Sequence, residues 1–415
     1  MSSERGGLSP DDGAPARASS ASPWSGGVLP TVRVSADGAR ALRHLRPWVW
    51  RKDVLEPPDA PGGAVVAVLD PRGQPAGQAL WAARSPLALR LLTRRAPAEE
   101  RVTDDWFQAR LEASIARRAP FGREALRLVH GEADGLPGFF VDRYRDRLVL
   151  QTLSEGMDLR KESLAGTLRS LTGAVQVVCR DDGSGRDFEQ LPRESRVLLG
   201  PADTEVEWRE GENLFRADLL RDMKTGAFLD QAENHLRAGE LGRGRALDAF
   251  SYHGGFALAL AARCDSVLAL EQDPAAARRL AENAQRNGRK NVEPQEANAF
   301  DVLHQLDRDG ERFDTVVLDP PGLAKRKEGT RTALRAYREL NVRALRVLRP
   351  GGLLVTCSCS GKVKPPEFEE MLLGAADDVR RPVQILERRG PAADHPALGG
   401  LPETEYLKTF FVRPL

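Results

Sequence analysis

Cysteine is scarce, with four residues in 415, and histidine is little commoner at six. So few thiols in so long a chain exclude a disulfide framework and point to a reducing compartment. No apolar run approaches the roughly 18 residues that a membrane span requires. No charged-then-apolar leader opens the chain, so a cytoplasmic protein with no membrane partner is expected. Charge of one sign is lacking as well: 61 Lys and Arg stand against 60 Asp and Glu, a formal net charge of +1. Nothing global draws such a molecule to nucleic acid, and any electrostatic attraction must be local. No internal repeat is visible, which argues against a solenoid.

The length suits two or three domains. Residues 1–30 are rich in Ser, Gly, Pro and Ala without apolar periodicity, and read as a disordered tail. Short β-type runs broken by turns follow from 31 to 105, a β-rich module. Residues 31–110 carry 13 Lys or Arg against 9 Asp or Glu, and Arg43, Arg46, Arg51 and Lys52 gather around Trp48 and Trp50. Such a cluster can meet phosphates while the indoles stack on bases, or it is a solvated basic edge over two core tryptophans. Residues 106–212 read as a small central α/β module. It holds the helical "DDWFQARLEASIARRAPF", a hairpin around "GEADGLPG", a helix near 158–172 and strands in "AVQVVCRDD" and "TEVEWREGENLFRADLL". Strand and helix then alternate from "ALDAF" to "GGLLVTCS", with a long helix at about 330–348. That alternation is the mark of a doubly wound, mostly parallel sheet, whose ligands bind beyond the carboxyl ends of the strands.

At the first such end stands "DAFSYHGGFAL". Gly254 and Gly255 let a backbone turn approach a ligand closely and then open a helix. The GxGxxG spacing of a dinucleotide site is missing, which counts against NAD. Glu271, about 17 residues past the glycines, stands either where a carboxylate accepts both ribose hydroxyls or where acids favour the start of the next helix. The third strand ends in "EANAFD", placing Asn298 where a side-chain oxygen can accept an adenine amino hydrogen. The fourth ends in "VVLDPPG". Successive prolines cannot extend a ladder, so Asp319, Pro320 and Pro321 make a stiff turn with a carboxylate directed at an amino-bearing base edge. Taken in order, the set suits S-adenosylmethionine, a nucleoside cofactor without phosphates.

From about residue 32 onward the chain resembles the bacterial PUA-containing 5-methylcytidine methyltransferases of large-subunit ribosomal RNA. The landmarks are "RPWVW", "GEADGLPGFFVDRY", "KTGAFLDQ", "FSYHGGF", "VVLDPP", "SCSG" and "ADHP". The resemblance implies an α/β protein: a PUA-like RNA-binding domain (31–105) and a central α/β RNA-binding domain (106–212) before a Rossmann-like methyltransferase domain (213–415). It implies S-adenosylmethionine as cofactor and large-subunit ribosomal RNA as partner, and a homodimer is compatible with it. "KTGAFLDQ" then lies across the cofactor, with contacts from Asp230 and Gln231. Phe250, Ser251, Tyr252, Gly254, Gly255, Glu271, Asn298, Ala299, Asp319 and Pro320 complete the expected cofactor set, and Arg46, Trp48, Arg51, Lys52 and Lys325 the expected RNA contacts. The 30-residue tail has no counterpart in the family, and Asn298 stands where many members carry Asp.

Two cysteines sit one residue apart in "LLVTCSCSGKV". Zinc would need about four ligands, and no second Cys/His cluster accompanies them, so no metal is expected. Cytosine C5 is a poor nucleophile, and adding a thiolate at C6 turns the ring into an enamine that attacks from C5. Matching "SCSG" to the family selects Cys359 for that addition and leaves Cys357 inside the strand, while Asp319 holds the cytosine N3/N4 edge. Residues two apart on a strand point the same way, so the strand must end or bend between them. A thiol of ordinary pKa, about 8.5, needs nearby positive charge, for which Lys325 and Arg326 are candidates. Two other readings remain: a guanosine-N7 ribosomal RNA methyltransferase, which needs no nucleophilic cysteine, and a non-catalytic RNA-binding assembly factor.

Overall fold

A computed structural model describes residues 28–324 and 329–415. The expected tail, apart from Val28 to Pro30, and the candidates Lys325 and Arg326 lie outside the described residues. Among the described residues no helix is long and apolar enough to cross a membrane.

The alternating runs of residues 31–93 pair into a six-stranded sheet. Val32, Val34, Val49, Val66, Val68 and Leu89 bury on its inner face, where β-branched side chains fit a pleated surface. The central module is a five-stranded sheet, Ala125–His130, Phe139–Tyr144, Arg147–Thr152, Gln176–Asp181 and Glu194–Leu199, packed on the helices Asp104–Arg118 and Lys161–Thr172. Its first two strands form the hairpin expected around "GEADGLPG". A separate hairpin, Glu205–Glu210 with Asn213–Asp218, comes next. The expected boundary at 212/213 falls in the turn of this hairpin. Its Trp208 and Phe215 stack, and they share one buried cluster with Tyr144 of the central module and with Phe256 and Leu258 of the chain that follows.

The remaining chain builds a seven-stranded sheet from β1 (Arg245–Asp248), β2 (Ser266–Glu271), β3 (Val292–Glu296), β4 (Phe313–Leu318), β5 (Leu348–Ser358), β6 (Val383–Arg389) and β7 (Lys408–Pro414). Their order is β3-β2-β1-β4-β5-β7-β6, with the first five parallel and β7 antiparallel to both neighbours. Apolar side chains on both faces explain the burial: Phe411 enters the layer beneath helix Gly255–Leu260, and Phe410 enters the layer under helices Thr330–Val347 and Pro365–Asp378. Strand order reverses between β1 and β4, and the crevice above that switch point is where a doubly wound sheet binds its ligand.

Buried charge fastens the modules together. Arg90 of the first sheet donates from Nη2 to Glu189 at 3.0 Å and from Nη1 to Glu132 at 3.0 Å, both in the central module. Arg118 grips Asp134 bidentately at 2.6 and 2.7 Å, and its Nη2 also reaches the carbonyl of Asp394 at 3.1 Å. Asp394, in the "ADHP" segment between β6 and β7, accepts from the Arg127 backbone N–H at 2.8 Å and is ion-paired with Arg123 at 2.9 Å. An otherwise orphaned buried carboxylate is thus satisfied across the domain boundary.

Candidate active site

A cavity of about 390 Å³ opens over the carboxyl ends of β1, β2 and β4, a volume suited to a drug-sized ligand. Its floor begins at the turn after β1. Gly254 has φ +96°, and a Cβ there would meet Leu280 at 2.6 Å; a Cβ on Gly255 would fall 2.3 Å from the His235 ring. Glycine is required at both positions, in part to admit side chains beneath the turn. Tyr252 takes φ +47°, a costly setting for a bulky residue. Its ring stacks on His253 at 3.7 Å and meets Phe228 edge-on at 4.9 Å, while its Oη donates to the carbonyls of Met223 and Gly226 at 3.3 and 3.4 Å. These contacts hold "KTGAFLDQ" across the cavity. From the central module, Asp142 accepts from Thr225 at 2.6 Å, and Tyr144 Oη accepts from the Ala227 N–H at 3.0 Å.

Glu271 ends β2 with each carboxylate oxygen already fixed by a backbone N–H, Tyr252 at 2.9 Å and Asp273 at 2.8 Å. A carboxylate keeps further acceptor sites, so the group is oriented with capacity left over. Asn298 differs from expectation. Its Oδ1 accepts from the Phe300 N–H at 2.9 Å as N-cap of helix Ala299–Arg308, and the cavity is lined by the flanking Ala297 and Ala299 instead. Phe250, Ser251, Pro320, Asp230 and Gln231 all line the cavity. Asp230 accepts from Tyr406 Oη at 2.7 Å, and the buried Nε2 of Gln231 has no hydrogen-bond partner among the described residues.

Beyond β4 the proline turn carries Asp319 into the same space. Burial, then the neighbouring Asp230 carboxylate, pushes the Asp319 carboxyl up to about 7, against the pull of His235. The strand question is resolved by where β5 stops. Cys357 is fully buried within it and accepts from Thr409 Oγ1 at 3.5 Å, whereas Cys359 lies past the last strand residue, Ser358, and faces the cavity. A Cβ on Gly322, in the turn after Asp319, would sit 3.6 Å from Cys359 Sγ, so sulfur and proline turn face each other. The Cys359 thiol is pushed up to about 11 by burial, then by the Asp319 carboxylate, with Asp230 adding and with Lys224 and Lys408 opposing. Lys224 was visible in "KTG" without an assigned role, and nothing in the local sequence singles out Tyr406, Lys408 or His235.

The basic cluster of the first module divides. Arg51, half-buried, lies with its guanidinium 4.5 Å over the Trp81 ring and donates to the carbonyls of Ser85 and Ala82. Trp48 donates from Nε1 to Glu132 at 2.9 Å and so belongs to the joint between modules. Arg46 and Lys52 are exposed. Trp50 is 42% exposed and meets Phe188 of the central module edge-on at 6.2 Å, with Phe188 44% exposed. The acidic group Cys179, Asp181 and Glu194 is filled by Lys161, whose Nζ lies 2.8 Å from Asp181 and 2.5 Å from Glu194.

The family described as PUA-like domain matches residues 32–94, and the family described as S-adenosylmethionine-dependent methyltransferase matches 196–397. A solved SAM-dependent methyltransferase from Streptococcus mutans shares the fold at TM-score 0.77 and 16% identity, over 92% of this chain and 99% of that one. Fold, cavity and match together define an S-adenosylmethionine-dependent methyltransferase with a PUA-like domain ahead of it. Among its relatives, the ribosomal RNA large subunit methyltransferase I of Photobacterium profundum is 34% identical over 89% of this chain and 96% of its own. That of Erwinia tasmaniensis is 34% identical over 92% and 99%. The chain belongs to the ribosomal RNA large subunit methyltransferase I family.

Proposed function

We propose that the protein methylates carbon 5 of a cytidine in large-subunit ribosomal RNA through a transient bond from Cys359 Sγ to C6. The observation that carries the reading is the single cavity shared by Cys359, Asp319 and the turn after β1. The substrate follows from the relatives named above, each a ribosomal RNA large subunit methyltransferase. The residues present suit the cofactor. Glu271 offers a fixed carboxylate to a ribose diol and Gln231 an unpartnered donor.

Like charges side by side raise each other's pKa, so thiolate at Cys359 forms most readily when Asp319 carries the proton. That is the state the chemistry needs. The Asp319 carboxyl donates its proton to cytosine N3 as Cys359 adds to C6, and the resulting enamine concentrates electron density at C5. When bound, S-adenosylmethionine supplies the methyl group that C5 takes up. A base then takes the C5 proton, the thiolate leaves C6, and the N3 proton returns to Asp319, which restores the aromatic ring. A paired base must first be unstacked to reach the sulfur. The exposed Trp50, Phe188, Arg46 and Lys52 would bind the surrounding RNA. We place the domain limits near the start of the Glu205–Asp218 hairpin. Mapping of 5-methylcytidine in ribosomal RNA from cells with and without the gene tests the reading: one site should vanish, and an unchanged map would reject it.

A further inference from the structure

A buried cation sits on the strand paired with the one that ends just before the thiol, outside the cavity lining. Lys408 opens β7 in register with Ser358, its side chain is 3% exposed, and its Nζ donates to the carbonyl oxygens of Ser360 and Tyr406 at 2.8 Å each. Among the described residues no carboxylate lies within 4.0 Å of it. This is unusual within the same molecule, since the buried Lys161 is surrounded by Asp158, Asp181 and Glu194. An ammonium desolvated with only carbonyl dipoles for company is a costly arrangement, and burial lowers its pKa to about 8.

The position of the two anchoring carbonyls explains where that cost is directed. Cys359 sits between the strand partner of Lys408, Ser358, and the residue whose carbonyl Lys408 grips, Ser360. The Ser360 hydroxyl is itself held, by the Ala324 N–H at 3.2 Å and Tyr337 Oη at 3.0 Å. The charged groups acting on the thiol are Asp319 after β4, Asp230 and Lys224 of the segment over the cavity, and Lys408 of β7. Those acting on Lys408 are Cys359, with Lys364 and Glu367 at the start of helix Pro365–Asp378.

We propose that Lys408 is a positioning residue for Cys359, fixing the turn that carries the sulfur and stabilising its thiolate by through-space charge. The proposal rests on the nucleophile reading of Cys359, yet it can be tested without turnover. Alkylation of Cys359 by iodoacetamide in the full-length protein, followed by peptide mass spectrometry across a pH series, reports the ionisation of that one thiol. Lys408→Gln is expected to slow alkylation at neutral pH about tenfold, the equivalent of about one pKa unit. Lys408→Arg, which keeps the charge, should stay within about twofold of the native rate. An unchanged profile in Lys408→Gln overturns the proposal, as does an arginine variant that behaves like glutamine. Should Lys408→Gln not fold, Lys408→Arg decides alone, a tenfold loss overturning and retention supporting. If the alkylation shift appears while Cys359→Ala still methylates RNA, the pairing stands and the nucleophile reading falls.

Discussion

Cys357 Sγ takes a hydrogen bond from Thr409 Oγ1 of β7, while two residues on Cys359 Sγ faces Asp319 and the cavity. The strand holds one thiol and releases the other. On the proposed mechanism Cys359→Ala is expected to abolish methylation, by at least ~10³-fold, because it removes the sulfur that would bond to C6. Cys357→Ala should keep activity and cost stability, about 1 to 2 kcal/mol for the lost volume and contact. Complementation of a deletion strain, read by 5-methylcytidine mapping, separates the two.

Asp319 gives the second expectation. A carboxyl held at about 7 when folded and near 3.9 when unfolded carries a native-state penalty for ionisation. Below pH ~4 both states are protonated and nothing is lost; the penalty grows as pH rises to about 7 and stays constant above it. Asp319→Asn should thus raise stability, and with it the melting temperature, at pH ~8, by up to roughly 4 kcal/mol, with the gain disappearing toward pH ~4. On the proposed mechanism the same variant should lose about 10²- to 10⁴-fold in rate, since the proposed donor to N3 would be gone. Calorimetry at both pH values, together with a methyl-transfer assay, checks both halves.

Asp394 behaves in the opposite sense. Its partners Arg123, Arg127 N–H and His395 hold its carboxyl at about 2, below the ordinary value. The stability it contributes is present above pH ~4 and is lost as pH falls toward 2. Asp394→Asn should cost about 3 kcal/mol at neutral pH, by removing the charge that pairs with Arg123 and weakening the contacts with His395 and the Arg127 N–H. In urea unfolding, the difference from the native chain should narrow steadily on acidification from pH ~4.

Trp50 and Trp48 should separate RNA binding from folding. Trp50→Ala is expected to weaken binding to ribosomal RNA fragments about tenfold, within the range for loss of one stacked base, and to leave cofactor affinity unchanged. Trp48→Ala should instead loosen the joint with Glu132 and lower the melting temperature. Filter binding and thermal unfolding of the two variants distinguish the roles.

Much of this architecture could be read from the chain because strand and helix periods are local. "SVLALE", "FDTVVLDPP" and "GGLLVTCS" each became the expected strand, and the proline turn after Leu318 left Asp319 at a strand end. What the sequence did not reveal depends on partners far along the chain. That Arg51 stacks on Trp81 depends on a residue 30 positions away. Lys408 acquires its place only because β7 inserts between β5 and β6, and "EYLKTFF" by itself shows nothing beyond alternation. Asn298 is legible as an N-cap, an Asn directly ahead of an apolar helical run, and its side chain caps the helix that follows.

The clasp formed by Asp394 on Arg123 and Arg127 has a further meaning for target choice. Arg90 and Arg118 are likewise locked into carboxylates, Arg90 across the joint between the first sheet and the central module, so the ion pairs that join the modules would resist their moving apart. An RNA engaging both Trp50 and Cys359 would have to present a flanking segment and an extruded base to the joined modules. Selection would then act on the tertiary shape of the ribosomal RNA, favouring one folding stage over another even where the local nucleotide sequence is the same.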